Sequence, residues 1–358
     1  MYSQNHTIEI LDCTIRDGSY VVNFDWPLEK VVGIVRDLAA NNCKYIEIGH
    51  GLGLGAERTY PHGPVSDEDS LKEAVKVKGN SLLGAFFIPG IGTMKDIDRF
   101  KENGGDFLRI GTNISESKKA EAYIRHAKEL GLIVSYNAMK SYVAKPFEFC
   151  KRMTEAASWG ADMLYFVDSA GGMLPEEVGR YVSLLRQCVG DDVKIGFHGH
   201  NNLMLANASS LAAVDNGASM IDTSLLGIGR GAGNAQTETM LIILKKRGYN
   251  IPISPVPMLK TAEKYVKTTN VAVKGIDHAD VIMGYALFHS SYYALLQRVA
   301  SEELIDPDDL MIEVARINRE DPDEDLMRMV AKKMAAHNGE KIFFPKFNYK
   351  KKQVKNAQ

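Results

Sequence analysis

Eight short apolar runs, at residues 8–14, 45–48, 82–88, 107–110, 133–137, 163–167, 194–197 and 220–223, punctuate this chain. Each is bounded by glycine or polar residues and is too short for an ordinary helix. The stretches between them repeat apolar residues about every 3.6 positions, as at 28–41, 117–130, 146–159 and 175–188, and so predict amphipathic helices. Pro27, Pro146 and Pro175 stand near helix starts, where a missing N–H costs nothing, and Gly104, Gly131, Gly160 and Gly217 stand just before strands, as helix caps. Alternating strands and helices call for a parallel sheet, because each helix carries the chain back to the same edge. Eight such units in about 245 residues predict a TIM (β/α)8 barrel. A doubly wound open sheet is the competitor, usually with fewer strands or another domain interleaved. The run Ile253-Ser254-Pro255-Val256-Pro257 breaks the pattern, and helical stretches at 258–268, 279–300, 307–317 and 322–337 follow it. The expected organisation is a barrel over 1–250, a C-terminal α-helical domain over 251–340 and a basic tail over 341–358.

With 358 residues, 45% of them hydrophobic, the chain can bury a large core. A net charge of −2 argues against a dedicated nucleic-acid binder. No apolar run approaches the roughly 18 residues of a membrane span. Cys13, Cys43, Cys150 and Cys188 show no paired spacing and read as reduced thiols of a cytoplasmic protein. The first residues run straight into a strand, without the pattern of a secretory signal. The tail Lys346-Phe347-Asn348-Tyr349-Lys350-Lys351-Lys352 reads as a solvated terminus, with acidic or phosphate partners as the other reading.

Polar residues collect where the strands end, which in a barrel of this type is the catalytic face. Asp17 follows strand one, and His198 and His200 end strand seven. Residues two apart on a strand face the same way, so both imidazoles can reach one point. Separately these would be a satisfied aspartate and two structural histidines; together they form a carboxylate–bis-imidazole set for a divalent cation. Arg16, next to Asp17, is either a surface ion-pair partner or a fixed positive charge for a developing enolate oxygen. The glycine-rich run 227–234 does not match G-x-G-x-x-G, since Ala232 falls where the last glycine is needed. It fits a close backbone approach to substrate or metal better than a dinucleotide loop, and Asn234 offers a further oxygen ligand. Asp168-Ser169-Ala170-Gly171-Gly172 is either an ordinary turn or a hydroxyl with free N–H groups for a carboxylate. Glu47 and His50 end strand two as candidate supports, with His50 also a candidate for the substrate pocket.

Asp12-x-Thr14-Ile15-Arg16-Asp17-Gly18, His50-Gly51-x-Gly53-Leu54-Gly55, Pro89-Gly90-Ile91-Gly92-Thr93, Val167-Asp168-Ser169, Gly196-Phe197-His198-x-His200 and Gly231-Ala232-Gly233-Asn234-Ala235 occur in that order. The chain thereby resembles the DRE-type TIM-barrel metallo-aldolases and lyases, most closely the 4-hydroxy-2-oxovalerate aldolases, over residues 8 to 337. The resemblance implies an aldolase dependent on Mn2+ or Mg2+, in which pyruvate chelates the metal, an arginine steadies the enolate, and an aldehyde is added or released. It makes Asp17, His198 and His200 the metal ligands, with Asn234 a further one. It makes Arg16 the enolate stabiliser and Ser169 a contact to the pyruvate carboxylate. It also implies an aldehyde dehydrogenase partner on the C-terminal domain, and a homo-oligomer is plausible beside it.

Two departures stand out. Where these aldolases carry a histidine shortly after R-D-G, this chain has Tyr20. Where they carry a tyrosine in G-Y-x-x-x-Y-S-S, Gly284-Tyr285-Ala286-Leu287-Phe288-His289-Ser290-Ser291 has His289. We expect a swapped acid/base pair with His289 titrating near 6.5; the competing reading is lost activity or a different electrophile. Lys140, just past strand five, beside Arg109 of strand four, would favour an anionic or polyhydroxylated electrophile over acetaldehyde, unless it is merely a solvated lysine. Two other functions compete: a Claisen-type condensation of an acyl-CoA with a 2-oxo acid, and a non-catalytic metal-binding barrel serving as a partner subunit.

Overall fold

A computed structural model of the protein describes residues 7–269 and 276–337, so the basic tail, 341–358, lies outside them. Eight parallel strands close into a barrel in chain order: β1 Glu9–Asp12, β2 Tyr45–Ile48, β3 Leu82–Phe87, β4 Phe107–Asn113, β5 Ile133–Met139, β6 Met163–Asp168, β7 Lys194–Gly199 and β8 Met220–Thr223. Closure is made by β8 pairing with β1, Leu11 opposite Asp222 and Asp12 opposite Thr223. The expected barrel is therefore the observed one, and an open doubly wound sheet is not.

The strand period of two divides the core. Residues such as Ile10, Ile46, Leu108, Leu164 and Ile221 face the surrounding helices and join one large apolar cluster. Their neighbours Leu11, Tyr45, Phe107, Met163, Tyr165 and Met220 fill the inside of the barrel. Large rings fit there because glycine stands beside them. A Cβ on Gly84 would lie 2.0 Å from the Phe107 ring, and one on Gly196 would lie 2.4 Å from Tyr165.

The edges of the elements carry the departures that matter for function. β1 ends at Asp12, and a single helical turn, Thr14–Gly18, carries Arg16 and Asp17 into the mouth. β4 and β5 run further than their apolar residues, ending in Thr112 and Asn113 and in Asn137 to Met139. The stretch 279–300 is not one helix. His278–Ala286 stops at Leu287, which takes a left-handed conformation (φ 53°). Leu287 N then donates to Gly284 O and Phe288 N to Met283 O, a Schellman closure with Phe288 fully buried. A leucine in place of the usual glycine hides that stop from sequence reasoning. The break puts His289 on irregular backbone, before the next helix, Tyr293–Glu302.

Two compact units result, Met1–Ser290 and residues from Ser291 onward. The first therefore includes helix Pro255–Thr261, the π turn Ala262–Val266 and helix His278–Ala286. Gly172, in the loop after β6, lies so near this last helix that a Cβ would sit 2.0 Å from Gly284 O. The second unit packs Tyr293–Glu302, Pro307–Ile317 and Glu324–His337 through Leu296, Val299, Leu310, Val314 and Met327. No helix among the described residues is long and apolar enough to cross a membrane.

Overfilling the barrel provides a test of this packing. Gly196→Ala is expected to lower stability by about 1–3 kcal/mol, as overpacked cores do, seen as a lower urea midpoint; an unchanged midpoint would show that Tyr165 has room to move.

Candidate metal centre and catalytic pocket

Ligand atoms of Asp17, His198 and His200 lie within 4.8 Å of one another, and all three residues are buried. The two imidazoles stand nearly perpendicular, 5.1 Å between ring centres. Each is oriented from behind. His198 Nδ1 is 2.9 Å from Asp222 Oδ2, and His200 Nδ1 is 3.2 Å from Gly233 O. With Nδ1–H donated to those acceptors, both Nε2 lone pairs are left for a cation, the arrangement metal-bound histidines adopt. Burial pushes the His200 imidazole down to about 3, helped by the charge of Arg230, so it stays neutral. Burial alone would raise the Asp17 carboxyl, but the permanent charge of Arg16, with that of Arg230 beyond it, holds it well below the usual carboxylate range. Asn234 Nδ2 donates to Asp17 Oδ2 at 2.6 Å, while its own Oδ1 is buried without a partner. An orphaned buried oxygen beside one carboxylate and two imidazoles fits a divalent cation.

The glycine-rich loop is what lets Asn234 arrive. A Cβ on Gly229 would lie 2.3 Å from Asn234 Nδ2 and 2.8 Å from Asp17 Oδ2. The close backbone approach expected of this loop is thus an approach to the ligands themselves. Thr14 secures the other side: it accepts the Leu225 N–H at 2.8 Å, while Asp12 takes the Thr14 hydroxyl and N–H at 3.0 Å each.

Behind the ligands runs a chain of buried charges. Arg16 donates from Nη1 to Asp17 Oδ1 at 2.7 Å and from Nε to Glu47 Oε2 at 2.8 Å. Arg109 Nη1 donates to the same Glu47 oxygen at 2.9 Å, and Arg109 Nη2 donates to Asp222 Oδ2, the atom that orients His198. Arg109 is fully buried over the Tyr165 ring, 4.5 Å from its centre. It is consequently not the second cation of the pocket beside Lys140 that the sequence suggested. Strand alternation turns it into the barrel, where two carboxylates consume its charge.

The remaining candidates divide. Tyr20 packs edge-on to Phe24 with Arg230 above its ring, and burial raises its phenol, which stays protonated. His289 is buried, and burial followed by the charges of Arg230, Lys140 and His200 holds its imidazole well below the ordinary value. The expected titration near 6.5 is corrected on this ground: the pocket keeps His289 neutral. Lys140 is buried in a left-handed conformation (φ 53°), its N–H donated to Ser169 Oγ at 2.9 Å, and is no solvated lysine. Ser169 keeps its own hydroxyl proton to donate. Of the loop N–H groups expected to be free for a substrate carboxylate, that of Gly171 donates to Asp168 O at 3.2 Å and that of Met173 to Asp168 Oδ2 at 3.0 Å. His50 is also corrected as a substrate contact. Its Nδ1 accepts the Leu52 N–H at 3.1 Å, its Nε2 donates to Pro61 O at 2.9 Å, and its ring stacks on Phe24.

Sequence reasoning missed Asp222 and Arg230. The signal for Asp222 was an acidic residue two past Met220, on the inward register of β8. Arg230 stood inside a run read for its glycines and for Asn234. The role of Asp222 yields a number: Asp222→Asn is expected to weaken Mn2+ binding by about 10- to 100-fold, as loss of such a support does. Electron paramagnetic resonance of free Mn2+ measures this, and unchanged affinity would separate Asp222 from the metal centre.

Comparison with known proteins agrees with this geometry. The family model described as HMGL-like matches residues 7–271. A 4-hydroxy-2-oxovalerate aldolase of Moorella thermoacetica is 34% identical over 334 residues, covering 93% of this chain and 98% of its own. One from Geobacillus stearothermophilus is 35% identical over 341 residues, covering 95% and 99%. Among solved structures, the carboxyl transferase domain of Rhizobium etli pyruvate carboxylase aligns with a TM-score of 0.75 at 15% identity, over 93% of this chain and 61% of that one, a likeness of fold alone. Matched across most of its length by the family model and by these aldolases, the chain belongs to the HMGL-like family.

Proposed function

We propose that this protein is a divalent-metal-dependent aldolase, a carbon–carbon lyase joining pyruvate to an aldehyde, or parting them, through a pyruvate enolate. The observation that carries the reading is the convergence of Asp17 with two back-oriented imidazoles beside a buried guanidinium. The near full-length likeness to 4-hydroxy-2-oxovalerate aldolases supports it. Asp17, His198 and His200 would hold the metal, with Asn234 Oδ1 as a further ligand, and this oxygen and nitrogen set suits Mn2+ or Mg2+. A divalent cation there supplies Lewis acidity toward the keto oxygen of pyruvate.

The chain's own residues do the rest. Arg16 spends Nε on Glu47 and Nη1 on Asp17, and among the described residues Nη2 takes no partner. We assign Nη2 to the oxygen on which enolate charge develops, fixed there before the reaction begins. The Ser169 hydroxyl, with Lys140 behind it, is assigned to the pyruvate carboxylate. In the synthetic direction the enolate carbon attacks the aldehyde carbon, and the aldehyde oxygen takes up a proton; cleavage reverses both. We assign that proton to the Tyr20 and His289 pair. A neutral imidazole accepts it in cleavage, and a protonated phenol donates a hydrogen bond to the same oxygen. The family likeness extends the proposal to an aldehyde dehydrogenase partner on the C-terminal helices, and a homo-oligomer is proposed beside it.

Exchange of the pyruvate methyl protons with D2O, followed by proton NMR at substoichiometric Mn2+, tests the enolate step without any aldehyde. Metal-dependent loss of the methyl signal, abolished by EDTA and by Asp17→Ala, is expected. Removal of Arg16 as Arg16→Met should slow exchange by about 100- to 1,000-fold, the usual cost of one such donor. No exchange by the metal-loaded protein would refute the enolate reading.

A further inference from the structure

Arg230 is the charged group in this pocket that the reading above leaves unused. It is half-buried, and among the described residues no carboxylate pairs with it. One Nη lies 3.1 Å from His200 Nε2, and its Nε is buried with no hydrogen-bond partner. The guanidinium sits 5.7 Å above the centre of the Tyr20 ring, and its charge reaches His289 and Asp17. A guanidinium partly withdrawn from water, with its Nε–H unsatisfied, is costly unless something negative meets it.

Its present contact cannot be the one it keeps during turnover. His200 Nε2 has a single lone pair, and that lone pair belongs to the metal in the proposed enzyme. With that lone pair given to a divalent cation, the Arg230 guanidinium would lose this contact and be repelled from it. Arg230 lies between Gly229 and Gly231, the latter at φ 62°, so its backbone has little side-chain bulk on either side. The guanidinium already lies over the Tyr20 ring, and its charge acts on His289. Those are the two residues assigned to the aldehyde oxygen, whereas Arg16 holds the enolate side through Asp17 and Glu47. Lys140 adds a second positive charge facing His289.

We propose that Arg230 binds an anionic group carried by the electrophile, so that the aldehyde partner is a carboxylated or phosphorylated one rather than a small neutral aldehyde. This rests on the aldolase reading and gives it a substrate class. A guanidinium fork matches a carboxylate or a phosphate through two parallel hydrogen bonds, and the two differ only in which anion fits the reach from Arg230 to the reacting carbon.

The test compares matched aldehydes in aldol addition to pyruvate by the Mn2+-loaded full chain: succinic semialdehyde against butanal, and glycolaldehyde phosphate against glycolaldehyde. Wild type is expected to favour at least one anionic aldehyde in kcat/KM by about 10- to 150-fold, the range for hydrogen bonds to a charged group. Whichever pair shows the preference identifies carboxylate or phosphate. In Arg230→Met that ratio falls toward one, chiefly through KM, and Arg230→Lys restores part of it. Equal use of neutral and anionic aldehydes by wild type, or a preference surviving in Arg230→Met, overturns the proposal.

Two readouts need no turnover. Inorganic phosphate and succinate, titrated calorimetrically into metal-free protein, should show binding of at least one anion by wild type, lost in Arg230→Met. Binding of neither anion by wild type, or binding retained in the variant, overturns the proposal. Mn2+ affinity of Arg230→Met, by electron paramagnetic resonance, should equal or exceed that of wild type, since a neighbouring positive charge has gone. Weaker Mn2+ binding would make Arg230 a prop of the metal site and overturn the proposal, while unchanged or tighter binding also certifies that the variant folds. Pyruvate methyl exchange by wild type keeps the two ideas separate. Its failure strikes the aldolase reading, and anion binding to the metal-free protein still decides what Arg230 does.

Discussion

Arg109 lies fully buried inside the barrel, and the catalytic face is organised around the charges it holds together. It joins Glu47 of β2 to Asp222 of β8. From Glu47 the chain passes through Arg16 to Asp17; from Asp222 it passes to His198. Two of the three metal-ligand candidates are therefore set by one connected network that crosses the barrel. Burying such a network is expensive, and its gain lies less in stability than in geometry. Each carboxylate of the network faces a guanidinium, and Asp222 faces the His198 imidazole as well. The network holds Arg16, Asp17 and His198 in place before substrate arrives, which is the condition for electrostatic stabilisation of a transition state.

The network also explains how apolar packing and polar chemistry share one barrel. Below the charged layer the interior is filled by Leu11, Tyr45, Phe107, Met163 and Met220. Tyr165 links the two regions, since its ring supports Arg109 and its bulk is admitted by Gly196. Above the layer, short irregular segments deliver the remaining groups: one helical turn for Arg16 and Asp17, the glycine loop for Arg230 and Asn234, and the Schellman break for His289. Of the candidate ligands only His198 lies within a strand, His200 follows directly on β7, and Asp17 and Asn234 arrive on these segments, so the strands set the frame and the segments beyond them carry most of the site.

Much of this was legible in the sequence because it follows from periodicity. The eight strands, their order and the shared face of His198 and His200 come from periods of two and 3.6. The pairing of Asp17 with those histidines follows once the barrel is closed. Other features depended on three-dimensional partners. Arg109 reads as a pocket cation until its register shows it pointing inward between Glu47 and Asp222. His50 reads as a substrate contact until Leu52 and Pro61 are seen to use both ring nitrogens. The helix stop at Leu287 has no glycine to announce it. His289 was found by its position, but its electrostatics were not, because Arg230 and Lys140 meet it from distant parts of the chain.

A crystal structure with Mn2+ and oxalate, a planar mimic of the pyruvate enolate, addresses the central claim most directly. The account predicts Mn2+ coordinated by Asp17 and by Nε2 of both His198 and His200, Arg16 Nη2 on an oxalate oxygen, and the links Glu47–Arg109–Asp222 as they stand here. Metal held through Nδ1 of either histidine, or away from Asp17, would contradict it, as would Arg109 released from Asp222 when the metal binds.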